Sequence, residues 1–348
     1  MRETVLHGAN DIRLADTPVP ELRDPTGALV RIVASCVCGS DLWGYRGVSK
    51  VDQPRRMGHE FVGVVEEVGT EVRTIRPGDF VIAPFMFSDG DCVHCRHGVH
   101  TSCERGGGWG GADQDGNPVG GGQAEYVVSP FADGTLVATP GVPDDDLIPG
   151  LLTLSDVLGT GHHAAVSAQV GPGDTVVVVG DGAVGLCAVL AAARLGAERV
   201  IAMSRHADRQ RLATEFGATD IVTTRGDEGA AEVLELLGVG ADAVLECVGT
   251  KESMHQSLAA VRPGGRVGYV GVPAGGPELP IRQLFSNNIT VAGGVAPVRA
   301  YLDALLPDVL SGEITPGRVF DASYSLADVA TAYADMDSRK VIKPLLRP

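Results

Sequence analysis

Long hydrophobic runs are missing from this 348-residue sequence. The longest apolar-rich stretch, Ala183–Leu195, is too short to span a bilayer and is followed by Gly196. The amino terminus also lacks the apolar segment of a secretory signal, because Met1–Thr4 runs directly into a strand-like Val5. We therefore expect a cytoplasmic protein that does not enter a membrane.

Positive charge is scarce. The sequence has 28 Lys and Arg against 44 Asp and Glu, which gives a formal net charge of −16. A surface of this sign repels phosphate backbones and anionic lipid headgroups. Nucleic acid and membrane surfaces are therefore excluded as expected partners.

The sequence also lacks the even number of cysteines that is typical of a disulfide framework. The sequence has seven, an odd number, and three of them lie within residues 92–103. In a cytoplasmic chain this clustering indicates metal binding rather than disulfides. The seven are Cys36, Cys38, Cys92, Cys95, Cys103, Cys187 and Cys247.

The length favours two domains, and the pattern of apolar, Gly and Pro residues changes near residue 151. Residues 1–150 contain short β-branched runs broken by Gly and Pro, which predicts a barrel of short strands. Residues 151–293 alternate helices with continuous apolar strands such as Val176–Val179, which predicts a doubly wound parallel sheet. Residues 294–348 return to the first domain through a last strand, Val341–Leu346. The predicted helices are Ala183–Leu195, Asp208–Phe216, Val298–Leu310 and Ser325–Ala334.

A glycine-rich turn with G-x-G-x-x-G spacing lies between a buried strand and a helix. Gly180 allows the tight turn, Gly182 lets a pyrophosphate approach the backbone, and Gly185 lets helix and strand pack closely. The helix start then offers free N–H groups to the phosphates. This context predicts a dinucleotide site formed by Gly180, Gly182, Ala183, Val184 and Gly185.

The acid that binds the ribose 2′-hydroxyl in NAD enzymes is missing from the end of the second strand, Val200–Met203. Ser204, Arg205 and Arg209 are present instead. These side chains suit a 2′-phosphate, since an arginine can give it a charge-assisted hydrogen bond. NADP is therefore the favoured cofactor. NAD is the alternative if Arg205 and Arg209 are only solvated surface residues that do not bind the cofactor.

Four residues of the first half have the chemistry of a catalytic zinc site: Cys38, His59, Glu60 and Asp156. A thiolate, an imidazole and carboxylates are ligands that zinc takes when one position stays open for substrate. If these residues converge, the protein is a metal-dependent enzyme.

With these possible zinc ligands and the glycine turn, the chain resembles the zinc-dependent medium-chain dehydrogenase/reductase family, whose best-known members are the zinc alcohol dehydrogenases. The resemblance covers essentially the whole length and implies a GroES-like β-barrel domain with the catalytic zinc, followed by a Rossmann domain. The motifs that carry it are Cys38-Gly39-Ser40-Asp41, Gly58–Gly63, Pro77-Gly78-Asp79, the cysteine segment, Gly121–Tyr126, Thr160–Ala164 and the Gly180 turn.

The resemblance implies roles for these residues. Cys38, His59 and Asp156 correspond to the catalytic zinc ligands, and Glu60 to a carboxylate that binds the zinc in some states only. Ser40 corresponds to the hydroxyl that bonds the substrate oxygen, and Asp41 to an acid behind the zinc ligands.

Three positions depart from the usual family pattern. Trp43 stands where many relatives end their proton relay in His, so the relay ends elsewhere and Trp43 lines the pocket or serves as ordinary packing. His162 replaces a frequent aromatic, and we expect it near a helix start, either as a polar neighbour of the cap or close to the nicotinamide. Asp89 replaces the first Cys of the structural zinc segment.

This segment otherwise keeps the family's C-x2-C-x2-C-x7-C spacing. We expect a second, structural zinc held by Asp89, Cys92, Cys95 and Cys103, because Asp also binds zinc. Other possible ligands are His94, His97 and His100.

The resemblance implies NADP-dependent, reversible oxidation of a small-molecule alcohol to an aldehyde or ketone. The alternatives are a sugar or polyol dehydrogenase, a non-catalytic NADP-binding zinc protein, and a metal-free enone or quinone reductase. A homodimer or homotetramer is expected, with Ile289–Ala292 as the edge strand that pairs across a two-fold axis. Relatives also place strand-end residues beside the cofactor, here Val248, Val270, Gly271 and Val295.

Overall fold

The computed structural model describes residues 1–273 and 278–348. Contacts within the chain divide it into two units, Met1–Asp156 with Pro297–Pro348 and Val157–Ala296. None of the helices in the described residues is long and apolar enough to cross a membrane.

The amino-terminal part of the first unit is built from short strands and four short helices. The strands are β1 (Arg2–Gly8), β2 (Asp11–Asp16), β3 (Ala28–Cys36), β4 (Arg55–Arg56), β5 (Phe61–Val68), β6 (Phe80–Ala83), β7 (Met86–Phe87), β8 (Gly107–Gly108), β9 (Tyr126–Ser129) and β10 (Val137–Ala138). The helices are α1 (Asp41–Tyr45), α2 (Val93–Arg96), α3 (Ala132–Thr135) and α4 (Ile148–Thr153).

The second unit alternates helices and strands. Its helices are α5 (Val157–Ser167), α6 (Ala183–Arg194), α7 (Ala207–Glu215), α8 (Gly226–Leu237), α9 (Lys251–Ala260) and α10 (Ile281–Asn287). Its strands are β11 (Thr175–Val179), β12 (Arg199–Met203), β13 (Asp220–Val222), β14 (Ala241–Glu246), β15 (Val261–Tyr269) and β16 (Thr290–Gly293).

The carboxyl-terminal segment returns to the first unit. Its elements are α11 (Val298–Ser311), β17 (Ala322–Ser325), α12 (Val329–Asp337) and β18 (Pro344–Arg347). Strand β18 pairs in parallel with β17 and antiparallel with β3, which confirms the predicted return of the last strand. The helix expected from Ser325 begins later, because Leu326–Asp328 form a 3₁₀ turn first.

The first unit is organised around a seven-stranded sheet with the strand order β10-β6-β5-β3-β18-β17, in which β9 also pairs with β3. Its core holds the buried aromatic rings of Phe61, Phe87 and Trp109. Trp109 packs edge-to-face on Phe61 at 4.8 Å and on Phe87 at 5.7 Å between ring centroids, a favoured aromatic geometry. This packing fixes the start of β5, directly after His59 and Glu60.

Helix α4 packs within the first unit, although the sequence suggested a boundary at residue 150. Leu151 and Leu152 are fully buried, and α4 contacts both β3 and β5. Burial of these side chains is the favourable term that holds the helix there. The chain segment that ends in Asp156 therefore lies in the same unit as Cys38 and His59.

The second unit holds a six-stranded parallel sheet in the order β13-β12-β11-β14-β15-β16. Numbered within the unit, this is the order 3-2-1-4-5-6 of a Rossmann fold, as predicted. The residues Val176–Val178 of the central strand are completely buried, as a strand covered on both faces requires. The order reverses between β11 and β14, where such sheets bind ligands at the carboxyl ends of their strands.

Candidate active site and metal centres

Four potential metal ligands converge in the first unit from three separate segments. Cys38 follows β3, His59 and Glu60 precede β5, and Asp156 follows α4. Each residue offers one ligand atom, and these atoms all lie within 4.8 Å of one another. We call Cys38, His59, Glu60 and Asp156 the Cys38 cluster.

The distances inside the Cys38 cluster suit a tetrahedral ion. Cys38 Sγ lies 3.7 Å from Asp156 Oδ2, and His59 Nε2 lies 3.6 Å from the same oxygen. Ligands held at zinc-like bond lengths are separated by about 3.3–3.8 Å in a tetrahedron. His59 Nε2 is 3.9 Å from Glu60 Oε1, slightly farther away.

Asp41 orients the imidazole of His59. Its Oδ1 lies 3.5 Å from His59 Nδ1, while its Oδ2 accepts hydrogen bonds from the Cys38 backbone at 3.0 Å and from Gln123 Nε2 at 3.3 Å. Burial acts to raise the pKa of Asp41, but His59, the Cys38 backbone N–H and Lys343 together hold that pKa below its usual value. A carboxylate on one ring nitrogen leaves the other facing the metal position, as in metal-binding histidines.

Glu60 forms a completely buried ion pair with Lys343 of the last segment. Lys343 Nζ donates to Glu60 Oε1 at 2.7 Å and to the carbonyl oxygen of Val37 at 3.3 Å. The other carboxylate oxygen, Oε2, is buried, and no hydrogen-bond donor in the described part of the chain reaches it. Burial of a polar atom without a partner is costly, so this oxygen is suited to receive a cation.

The electrostatics of Cys38 also fit a metal ligand. Burial, followed by the nearby Glu60 charge, raises the pKa of the Cys38 thiol above its ordinary value. A divalent ion reverses this preference, because a coordinating thiol is deprotonated. The donor set and its charge therefore fit zinc.

Ser40 lies just before helix α1 and Trp43 lies within it, shortly after Cys38 in the sequence. Ser40 is the residue that precedes the helix, and its hydroxyl makes no capping hydrogen bond there. Trp43 lies within the helix and is partly buried. Both positions are compatible with contact to a substrate beside Cys38.

The glycine turn of the second unit has the geometry of a phosphate cradle. Gly180 has a φ of +119°, and a Cβ on Gly185 would lie 2.0 Å from the carbonyl oxygen of Gly180. A Cβ on Gly182, by contrast, would meet nothing within 4 Å. The open space lies at the start of α6 next to Ala183 and Val184, where free N–H groups attract an anion.

The predicted strand-end residues gather at the carboxyl edge of the same sheet. Val248 is 41% exposed, and a Cβ on Gly180 would lie 2.9 Å from its Cγ2. The backbone N–H groups of Val270 and Gly271 both donate to the carbonyl of Glu246, at 2.9 and 3.3 Å. Val295 follows β16 and is 62% exposed.

Ser204, Arg205 and Arg209 lie at the end of β12 and the start of α7. Ser204 is buried and donates from Oγ to Asp181 Oδ2 at 2.9 Å. Arg209 Nη1 donates to the backbone carbonyl of Asp181 at 3.1 Å, whereas Arg205 is exposed. Asp181, the residue between the first two glycines, thus lies beside the predicted 2′-phosphate position.

The cysteine segment brings Asp89, Cys92, Cys95 and Cys103 together, again with ligand atoms within 4.8 Å of one another. Asp89 Oδ1 accepts two backbone N–H groups, and Oδ2 accepts Arg105 Nε at 2.8 Å. A carboxylate oxygen has two lone pairs, so Oδ2 can still bind an ion. Among the described residues, this group of possible ligands does not include His94, His97 or His100. The seven cysteines all lie in the described residues, and none of them forms a disulfide.

Comparison with known proteins identifies the family. The family model described as "Alcohol dehydrogenase GroES-like domain" matches residues 24–141, and that described as "Zinc-binding dehydrogenase" matches residues 183–309. A Mycobacterium tuberculosis protein named "probable zinc-binding alcohol dehydrogenase" is 35% identical over 351 residues, which cover 100% of this chain and 89% of that protein. The chain belongs to the zinc-dependent medium-chain dehydrogenase/reductase family.

Two solved structures of this family show the same fold. Alcohol dehydrogenase TADH from Thermus sp. ATN1 has a TM-score of 0.90 and 33% identity, with 100% of this chain and 99% of that chain covered. A protein of Sinorhizobium meliloti 1021, described as a zinc-binding dehydrogenase bound to NADP, has a TM-score of 0.82 and 28% identity, with 100% and 99% covered. The predicted GroES-like and Rossmann domains are therefore confirmed.

As a member of this family, the protein is an oxidoreductase that acts on alcohols with zinc and a nicotinamide cofactor. The family also explains why the glycine turn and the Cys38 cluster occur in one chain.

Sequence reasoning missed three charged residues near these sites: Asp181, Arg225 and Lys343. Asp181 is visible inside the glycine motif, but its contacts are not. His162 lies in the second turn of α5, and burial lowers its pKa to about 4, with Arg194 and then His163 adding to the effect. Its imidazole is therefore neutral at pH 7.

Proposed function

We propose that this enzyme interconverts an alcohol and an aldehyde or ketone by hydride transfer, with zinc at the Cys38 cluster and NADP(H) as the hydride carrier. The observation that carries the proposal is the convergence of one thiol, one imidazole and two carboxyl groups, of which Glu60 keeps a buried oxygen that no donor among the described residues reaches. The Ser40 hydroxyl makes no capping hydrogen bond to helix α1. If zinc had only a structural role, this hydroxyl would have no function.

Cys38, His59 and Asp156 would hold the zinc, with Glu60 as a ligand in some states only. When bound, zinc supplies a Lewis acid that draws electron density from the substrate oxygen. The Ser40 hydroxyl would relay the alcohol proton: it accepts that proton during oxidation while it passes its own proton on to water, and the reverse occurs during reduction. Asp41 keeps the His59 ring in the orientation that binding requires.

A substrate panel tests this function. Purified protein of known zinc content is assayed with alcohols and carbonyl compounds and with NADP(H) and NAD(H). We expect turnover that a chelator abolishes and added zinc restores. Turnover that survives complete removal of zinc would favour a metal-free reductase instead.

The preference for NADP is proposed from the end of β12, where Ser204 and Arg205 replace the acid of NAD enzymes. The NADP-bound relative from Sinorhizobium meliloti agrees with this choice.

Substitution of Arg205 by Asp tests the preference. The change removes a charge-assisted hydrogen bond to the 2′-phosphate and places a carboxylate where the ribose hydroxyls bind. We expect the ratio of kcat/KM for NADP to that for NAD to fall by about 100-fold. Arg211→Asp on the exposed side of α7 is the control, and an unchanged ratio in Arg205→Asp would refute the assignment.

A second zinc is proposed in the cysteine segment. Burial raises the pKa of Cys95, the most buried thiol there, so a cation is needed to stabilise its thiolate. We expect two zinc ions per chain in the purified protein and one in Asp89→Ala, measured by elemental analysis. One ion per chain in the unaltered protein would contradict the second site.

A homodimer is proposed through the edge of the Rossmann sheet. Strand β16 is the last strand of that sheet, and the preceding helix α10 exposes Phe285 by 84% and Ile281 by 67%. An unpaired edge next to exposed apolar side chains is typical of an association surface. Phe285→Asp should lower the mass measured by sedimentation to that of a monomer, whereas Val142→Asp, at another exposed apolar position, should not.

A further inference from the structure

A buried glutamine, Gln123, connects the carboxyl-terminal helix α12 to a predicted zinc ligand, His59. Its side-chain Nε2 donates to Asp41 Oδ2 at 3.3 Å and to the carbonyl oxygen of Cys36 at 3.0 Å. Its Oε1 accepts the hydroxyl of Tyr333, a residue of α12, at 3.1 Å. Asp41 Oδ1 in turn lies 3.5 Å from His59 Nδ1. A chain of polar contacts therefore runs from Tyr333 through Gln123 and Asp41 to the imidazole.

The partners of Gln123 determine which way its amide points. The ionised Asp41 and the carbonyl oxygen of Cys36 can only accept hydrogen bonds, so the NH₂ group must face them. Burial, with the Asp41 charge adding to it, raises the pKa of Tyr333 well above its usual value, so the phenol keeps its proton and donates it to Oε1. The reversed amide would place its oxygen against two acceptors. The donor that Gln123 presents to Asp41 is therefore held in one orientation.

The backbone of Gln123 lies against the segment that carries His59. Its N–H donates to the carbonyl oxygen of Met57 at 2.9 Å, and a Cβ on Gly58 would lie 2.4 Å from the same nitrogen. Gly58 also has a φ of +92°, which favours glycine. Gln123 is thus fixed relative to His59 through its backbone and relative to Asp41 through its side chain.

The ring of Tyr333 contacts the helix on which Asp41 is the first residue, α1. Tyr333 is fully buried, and its ring centroid lies 5.4 Å from that of Tyr45 at the end of α1, with an angle of 50° between the rings. Aromatic pairs at this separation attract one another. Tyr333 therefore supports Asp41 in two ways, by its hydroxyl through Gln123 and by its ring through α1.

We propose that Gln123 and Tyr333 are positioning residues of the catalytic zinc, which orient His59 by holding Asp41 in place. This inference rests on the proposed zinc at the Cys38 cluster. A carboxylate that is itself hydrogen-bonded keeps a metal-binding imidazole in one orientation, and loss of such outer partners weakens metal binding or activity by about 10- to 100-fold. Both residues act through Asp41 rather than as zinc ligands.

The zinc affinity of the Cys38 cluster tests this inference, measured on the full chain by competition with a chelator. The ion of this cluster is identified as the one that Cys38→Ser fails to bind. Gln123→Met keeps the length of the side chain but removes its hydrogen bonds, and it should weaken the zinc affinity at least about tenfold. Tyr333→Phe should weaken it less, because only the hydroxyl is lost. Zinc in the cysteine segment should be retained in both variants.

Tyr45→Phe is the matched control. It removes a hydroxyl from the ring that packs on Tyr333, and no hydrogen bond within residues 1–273 and 278–348 joins that hydroxyl to Gln123. Its zinc affinity should equal that of the unaltered protein.

Substitution of zinc by cobalt gives a readout that a loss of packing alone would not change. The visible absorption of Co²⁺ depends on the geometry and basicity of its ligands, and outer hydrogen bonds affect both. The bands that are absent from Cys38→Ser belong to the Cys38 cluster. In fully loaded protein these bands should shift in Gln123→Met and Tyr333→Phe but not in Tyr45→Phe.

The outcomes separate the inference from the proposed function. If Cys38→Ser binds as much zinc as the unaltered protein, the proposed function fails and the inference fails with it. If the Cys38 cluster binds zinc but Gln123→Met and Tyr333→Phe keep the unaltered affinity and cobalt spectrum, only the inference is overturned. Equal weakening in Tyr333→Phe and Tyr45→Phe also overturns it, because ring packing would then be the cause. If Gln123→Met does not fold, Tyr333→Phe decides by the same two measurements.

Discussion

Substitution of Cys38 by Ser should lower the zinc content by one ion per chain and the rate of alcohol oxidation by about 1,000-fold. A serine hydroxyl is a far poorer zinc ligand than a thiolate, and the remaining ligands, His59 and Asp156, are too few for a catalytic site. Loss of a Lewis acid removes several kcal/mol of transition-state stabilisation, and each 1.4 kcal/mol corresponds to about tenfold in rate. Elemental analysis and steady-state kinetics measure both effects.

The matched control is Cys187→Ser, which alters a buried thiol of the other unit. It should retain all of the zinc and most of the activity. Cofactor binding should be unchanged in Cys38→Ser, because the glycine turn belongs to the second unit. Full zinc content together with normal turnover in Cys38→Ser would show that catalysis uses a different site.

The Rossmann unit was predictable in detail because its signals are local. The apolar run Val176–Val179, the glycine spacing and the helix from Ala183 lie within one short stretch of chain, and each constrains the next. The Cys38 cluster was predictable only as a set of residue types inside family motifs. Its convergence depends on the packing of α4, which burial of Leu151 and Leu152 determines.

Contacts between distant segments could not be predicted in the same way. Lys343 and Glu60 are 283 residues apart, and a lysine directly before an apolar terminal strand gives no local sign that it will be buried against a carboxylate. The position of Arg225 next to Asp181 depends likewise on the order of β11, β12 and β13 in the sheet. Sheet order follows from the fold as a whole rather than from any single motif.

Substitution of Lys343 by Met should lower the free energy of unfolding of the zinc-free protein by about 3–5 kcal/mol. The change keeps the length of the side chain but leaves the Glu60 carboxylate buried without its counter-charge, and removal of one partner of a buried pair has this cost. Urea denaturation after chelation measures the loss. Lys340→Met is the control, since Lys340 is exposed and solvent weakens its ion pair with Asp335.

The cause of this loss can be separated from poor packing of Met. In the double variant Lys343→Met/Glu60→Gln no unpaired charge remains, so most of the lost stability should return. Zinc should stabilise Lys343→Met more than it stabilises the unaltered protein, because the ion then replaces the ammonium group as the counter-charge of Glu60. Equal stabilisation of both proteins by zinc would show that Glu60 does not respond to the metal, and its role as an occasional zinc ligand would have to be abandoned.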